Sequence, residues 1–132
     1  MGKSFTFHKD ERLTSEKEID ELFTRGNNLL FYPLRFSYIL KENTREIPVK
    51  VLTGVAKKKI RRAVKRNLIK RRIREAFRHN KHDLYQTCQK NNKPINLAVV
   101  YIGNNIESYS VIEKSLIKGL NEINNKMAGQ DS

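Results

Sequence analysis

Residues 61–78 read RRAVKRNLIKRRIREAFR, and the prediction of the fold starts from this stretch. Its alanine, leucine, lysine, arginine and glutamate residues favour helix, and no glycine or proline interrupts them. At about 100° per residue, three large apolar side chains and one alanine fall on one side: Ile69, Ile73, Ala76 and Phe77. Val64 and Leu68 lie near the edge of the opposite, basic side. The stretch therefore predicts a helix of about five turns that packs one side on a sheet.

The other side of this predicted helix carries polar and basic side chains within a sector of roughly 100°. We call them the basic ridge: Asn67, Lys70, Arg71, Arg74 and Arg78. Guanidinium groups bind phosphates bidentately, and an asparagine can pair with a sugar hydroxyl or a base edge. A solvated helix face usually mixes charges of both signs, whereas only Glu75 offsets the cations here. The ridge therefore predicts a polyanionic partner.

The charge of the whole chain is concentrated in the same region. The 132 residues carry a net charge of +13, and the segment from Lys57 to Arg78 holds twelve basic residues and one acid, or +11 of that total. A field confined to one segment suits a surface that follows phosphates, so nucleic acid is the expected partner. No run approaches the roughly 20 apolar residues of a membrane span, and Met1–Asp10 lacks an apolar signal region, so a cytoplasmic location without membrane contact is expected. The single cysteine, Cys88, excludes an intrachain disulfide.

Turn and cap signals divide the rest of the chain. Thr14 or Ser15 caps a helix that ends at Gly26, and Ser108 or Ser110 caps a final helix. Strands are predicted at 34–40, 47–55 and 95–102, with a short helical piece at 83–89. In the first strand, side chains at alternate positions share one face: Leu34, Phe36, Tyr38 and Leu40.

The segment Arg66–Glu75 reads RNLIKRRIRE and matches the R-N-x-x-K-R-x-x-R-E motif of the ribonuclease P protein family at every specified position. The sequence resembles this family further at VAKK (55–58) and AV (63–64), and more loosely at RL (12–13) and at LF (22–23) with Gly26. The resemblance spans residues 10–125.

The resemblance implies an α+β fold: a single-domain α/β sandwich of order αβββαβα with a left-handed βαβ crossover, like ribosomal protein S5 domain 2. A short additional strand near Asn28–Phe31 is then expected. Residues 10–125 would form the domain, residues 1–9 a flexible lead-in and residues 126–132 a disordered tail.

The resemblance also implies a function. The protein would join a large catalytic RNA, and the holoenzyme would remove the 5' leader of precursor tRNA by Mg2+-dependent hydrolysis carried out by the RNA. No catalytic residue, metal ligand or tightly bound cofactor is expected in the protein. The residues expected to meet the RNA are Lys57, Lys58, Arg62, Arg66, Asn67, Lys70, Arg71 and Arg74.

The family binds the single-stranded leader in a cleft between the first helix and the sheet. Phe23, Phe36 and Tyr38 match positions that line this cleft, and aromatic faces stack on any base. Aromatic residues at helical or alternating spacing are more often core, so burial of all three is the alternative. The sequence departs from the family at Ile19, often aromatic, and at Leu52, often glycine.

Other chemistries are less well supported by the sequence. Glu16 and Asp20 share a helix face and could begin a metal nuclease site, but exposure and helix capping explain them better. His79 and His82 have ligand-like spacing without identifiable further ligands. A structural RNA-binding protein, such as a ribosomal protein, remains the main alternative, and a DNA-binding module is a weaker one.

Overall fold

The computed structural model describes residues 11–42 and 45–129, which form four helices and one four-stranded sheet. In chain order these are α1 (Glu16–Arg25), β1 (Asn27–Phe31), β2 (Leu34–Leu40), β3 (Val49–Val55), α2 (Ala63–Asn80), α3 (His82–Asn91), β4 (Ile95–Tyr101) and α4 (Tyr109–Gly129). The predicted α+β fold is confirmed, including the additional strand β1. The predicted helical piece after α2 is a helix in its own right, α3.

The sheet has the strand order β1-β2-β4-β3. β4 runs antiparallel to β2 and parallel to β3, and the crossover between β3 and β4 contains α2 and α3. The near-continuous apolar run of β4 agrees with this central position, since six of its seven residues are buried.

The main core lies between one face of the sheet and helices α2, α3 and α4. Alternation along the strands places Leu34, Phe36 and Tyr38 of β2 on this face. The apolar side of α2 packs there as predicted, with Ile69, Ile73, Ala76 and Phe77 all buried. A Cβ at Gly119 of α4 would overlap the ring of Phe36, so the glycine lets α4 lie close to β2.

On the other face of the sheet, the described residues that provide cover are α1 and the short segment before it. Ser15 caps α1 by accepting a hydrogen bond from the Glu18 backbone N–H, and Gly26 closes it, as predicted. The buried cluster beneath α1 contains only Leu13, Leu22 and Ala98. The segment before α1 pairs with the free edge of β3 through the Leu13 N–H and the Val51 carbonyl.

The end of the domain lies later in the chain than predicted. α4 continues to Gly129, and Met127 in its last turns is buried against the core, so residues 126–129 are helical and the tail predicted for 126–132 is wrong there. The remaining tail residues and the predicted lead-in at 1–9 lie outside the described residues.

Candidate nucleic-acid interface

The basic ridge lies on the outer side of α2, opposite the core. Asn67 and Arg71 are exposed, and Lys70, Arg74 and Arg78 are partly exposed. Arg78 donates two hydrogen bonds to Glu75, at 3.1 and 2.6 Å, which lower the pKa of that carboxyl group and offset part of the charge at this end. The strongest uncompensated charge therefore lies toward Asn67, Lys70 and Arg71.

Arg74 is the point where the ridge meets the sheet. Its guanidinium lies 3.4 Å from the Thr53 hydroxyl oxygen of β3, and burial lowers its pKa below the ordinary value. The nearby positive charges of Arg12 and Arg71 lower the pKa further. Arg12 and Arg74 also line a groove of about 200 Å³ along the edge of β3. The basic surface thus extends past α2 onto the segment before α1.

Arg66 has a different position from the one expected for a phosphate ligand. Its guanidinium donates to the backbone carbonyl oxygens of Ile60 at 3.0 Å and Arg61 at 2.5 Å. These bonds fix the turn that precedes α2, where Lys57, Lys58 and Arg62 are exposed. Sequence reasoning could not foresee this contact, because nothing in the motif distinguishes an arginine that binds carbonyls from one that binds phosphates.

Among the described residues, α1 covers only part of its sheet face, and we call the open part of that face the cleft. The odd-numbered positions of β2 point to it, and their cross-strand neighbours complete its floor. The part beyond α1 has a floor of neighbouring residues near the ends of the four strands: Leu30, Arg35, Gly54 and Val100. Leu30 is 63% exposed, an unusual value for a leucine on a sheet.

The three aromatic residues predicted to line this cleft are divided between the two faces. Phe23, on α1, is 51% exposed. Phe36 and Tyr38 are 0% and 4% exposed and belong to the main core on the opposite face of the sheet, so their predicted position in the cleft is wrong. The reason is the two-residue period of β2: once Leu34 faces α4, Phe36 and Tyr38 must face it too.

Several cleft residues were not identified from the sequence. Arg35 is exposed, and the buried Ser37 hydroxyl donates to the side-chain oxygen of Asn28 at 2.6 Å, which leaves the Asn28 amide as the outward donor. The signal that could have found them is the other half of the β2 alternation, R-S-I at 35, 37 and 39. Ile19 and Leu52, where the sequence departs from the family, both pack on the small cluster beneath α1.

The other reactive groups occupy structural positions. Cys88 is buried, and burial raises the pKa of its thiol to about 12. His79 contacts the Glu75 carboxylate at 3.3 Å. Between residues 11 and 42 and between 45 and 129, no three His, Cys, Asp or Glu side chains converge where they could hold a metal ion. No helix in these same ranges has the length and apolar character needed to cross a membrane.

Comparisons with known proteins find relatives over most of the chain. The family model described as "Ribonuclease P" matches residues 7–124. The chain is 37% identical over 117 residues to the ribonuclease P protein component of Porphyromonas gingivalis, covering 89% of this chain and 85% of that protein. It is 34% identical over 109 residues to the component from Chlorobium phaeobacteroides, covering 74% and 73%.

Solved structures show the same fold at lower sequence identity. The ribonuclease P protein of Thermotoga maritima superposes with a TM-score of 0.67 at 20% identity, covering 85% of this chain and 96% of that one. The Staphylococcus aureus protein gives a TM-score of 0.61 at 19% identity, covering 86% and 94%. At these identities the two structures support the architecture.

Proposed function

The chain belongs to the ribonuclease P protein family, and from this premise we propose that it is the protein subunit of a ribonuclease P that removes the 5' leader of precursor tRNA. The observation that carries the proposal is the basic ridge, a row of cations on a helix whose other side is buried. Such a row suits an RNA backbone, since each neutralised phosphate releases a counterion. The protein then acts by binding and orienting RNA.

The contacts to the catalytic RNA are assigned to the exposed cations around α2. Lys70, Arg71 and Arg74 bind phosphates, Asn67 binds a sugar hydroxyl or a base edge, and Lys57, Lys58 and Arg62 add charge at the start of the helix. Arg66, which was predicted to meet the RNA, is assigned a supporting role, because its bonds to two backbone carbonyls hold the turn that carries these cations.

The leader is assigned to the open part of the cleft beside α1. Phe23 offers a half-exposed ring on which a base can stack, and Leu30 offers a second apolar surface. Arg35, the cross-strand neighbour of Leu30, supplies a positive charge on the same sheet face, and Lys57 follows the end of β3 by two residues. A cleft with stacking surfaces and few base-specific donors suits leaders of variable sequence.

The phosphodiester hydrolysis is assigned to the RNA subunit and to the Mg2+ ions at its active site. The protein residues hold the leader and neutralise phosphates, which lets two polyanions approach each other. A cytoplasmic location, where precursor tRNA is processed in bacteria, completes the proposal.

The experiment that tests the proposal is cleavage of a 5'-extended precursor tRNA at low Mg2+. It compares the purified protein alone, a bacterial ribonuclease P RNA alone, and the two together. We expect cleavage at the mature 5' end only in the mixture. Cleavage by the protein alone would identify an independent nuclease, and absence of stimulation would leave a structural RNA-binding protein.

A further inference from the structure

A second basic feature lies apart from the basic ridge, where the turn before α2 approaches the loop after β4. The turn before α2 and the loop after β4 border an open pocket of about 400 Å³. We call it the turn pocket; its polar lining residues are Lys59, Arg61, Arg62, Lys65, Asn104 and Asn105. Four of them are cations and two are amides, and the lining contains no carboxylate.

The turn pocket is separated from the basic ridge by the geometry of α2. Lys65 lies about 160° around the helix from Asn67, so it points away from the ridge. Arg61 and Lys59 belong to the turn itself, which the buried Ile60 anchors in the main core. A phosphate bound along the basic ridge would therefore leave the charges of Lys59, Arg61 and Lys65 unused. Arg62, at the start of the helix, is the cation that the two regions share.

Both walls of the turn pocket are fixed by bonds to α2 and to the core. Arg66 holds one wall through the carbonyls of Ile60 and Arg61. Arg72 holds the other by donating to the Glu107 carbonyl at 2.5 Å. The buried Tyr101 hydroxyl donates to the Asn105 carbonyl and accepts from the Glu107 N–H at 3.0 Å, which ties the same loop to β4.

This fixation matters because an ordered site binds a ligand at a lower entropic cost than a mobile one. It also keeps four like charges close together, although like charges repel each other. Among residues 11–42 and 45–129, the ion pairs that form involve other cations than Lys59, Arg61, Arg62 and Lys65. Within the described residues, no ion pair with a carboxylate offsets the four charges of the turn pocket.

We propose that the turn pocket is a phosphate-binding site, and that, on the proposed function, it takes neighbouring phosphates at a bend in the backbone of the partner RNA. Each phosphodiester carries one negative charge, so four cations match more than one phosphate. Arginine and lysine donors approach phosphate oxygens from both walls, and the two asparagine side chains can bind sugar hydroxyls. The site deepens the RNA-binding role with residues outside the family motif.

The first arm of the test uses inorganic pyrophosphate as a probe at constant ionic strength. Backbone amide shifts and thermal unfolding would be followed in the wild type, in the pocket variant Lys59→Gln with Lys65→Gln, and in a control, Lys114→Gln with Lys118→Gln on α4. The control loses the same charge at exposed positions. In the wild type we expect amide shifts at residues 59–65 and 104–106. In the pocket variant alone, pyrophosphate binding should be weaker by a factor of at least about ten.

The second arm measures binding to the catalytic RNA as a function of salt. We expect the pocket variant to lower the slope of log K against log salt by about one to two units relative to the control. Equal pyrophosphate binding by pocket variant and control would overturn the site. Lost pyrophosphate binding with an unchanged slope would overturn its assignment to RNA. Pyrophosphate binding does not depend on precursor cleavage, so failure of the subunit role would be seen separately.

Discussion

The two faces of the sheet differ in how completely they are covered. One face lies under α2, α3 and α4 and contributes to a buried cluster of twenty-one residues, whereas the cluster beneath α1 contains three. The first face is a closed core. The second leaves Phe23 and Leu30 in solvent although both are apolar. The comparison suggests that stability resides on the closed face and that the open face is kept available for a ligand.

The largest effect is expected on the closed face. Phe36→Ala removes a fully buried ring against Gly119 and should lower the free energy of unfolding by about 3–5 kcal/mol. Leu30→Ala, also on the sheet but exposed, should change it by less than about 0.5 kcal/mol. Urea denaturation followed by circular dichroism measures both. Similar losses in the two variants would break the distinction between the faces.

The next effect concerns the connection between the two sides of the molecule. Lys81 and Glu11 form a buried ion pair at 2.8 Å, joined by the Tyr85 hydroxyl, which ties the segment before α1 to the junction of α2 and α3. Lys81→Met should destabilise the fold by about 3 kcal/mol, because Glu11 stays buried and loses its bonds to the Lys81 ammonium. The matched change Lys41→Met, in the partly exposed pair with Glu21, should lower stability by at most about 1 kcal/mol. Equal denaturation midpoints for both variants would contradict this reading.

The basic ridge should affect binding without affecting the fold. Arg71→Ala with Arg74→Ala removes two predicted phosphate contacts, and should reduce the salt slope of catalytic-RNA binding by close to two units. The control is the exposed α4 pair, Lys114→Ala with Lys118→Ala, which loses the same charge. If the salt slope of catalytic-RNA binding equalled that of the control, the basic ridge would not be part of the interface.

A smaller and more selective effect is expected in the cleft. Phe23→Ala should reduce the affinity of the holoenzyme for precursor tRNA by about 1–3 kcal/mol if a leader base stacks on the ring. Affinity for mature tRNA, which has no leader, should stay the same. An equal loss for both RNAs would indicate a role in assembly instead.

The last prediction concerns the chemical reactivity of Cys88, which is buried on the closed face. Because burial raises the pKa of Cys88 to about 12, little thiolate is present at pH 8. Alkylation by iodoacetamide should therefore be slow in the folded protein, faster as the pH approaches 12, and fast at pH 8 in urea. Rapid alkylation of the folded protein at pH 8 would indicate that this part of the core opens readily.

The helices and strands could be predicted from the sequence, but which residues lie on each face of the sheet could be predicted only in part. The apolar side of α2, the Ser15 cap and the alternation along β2 are local patterns, and all three are confirmed. Which half of the β2 alternation meets α1 depends on the packing of distant helices. The expectation for Phe36 and Tyr38 failed for that reason, since the family resemblance outweighed a pattern that also allowed a core position.

The residues around α2 could likewise be predicted only where they follow a local pattern. The cations of the basic ridge follow from helical periodicity, which the sequence contains. The bonds of Arg66 to the turn, and of Arg72 to a carbonyl thirty-five residues away, are tertiary contacts without a periodic signal. The turn pocket depends on both, so it could be found only in three dimensions.

The central position of β4 has a consequence for synthesis of the chain. β4 lies between β2 and β3, yet it is the last strand to leave the ribosome. Until residues 95–101 have emerged, β3 lacks its neighbouring strand and the crossover helix α2 has no completed sheet to cover. The nascent chain thus presents its most basic segment before either face of the sheet exists, and the two faces form together, late in translation.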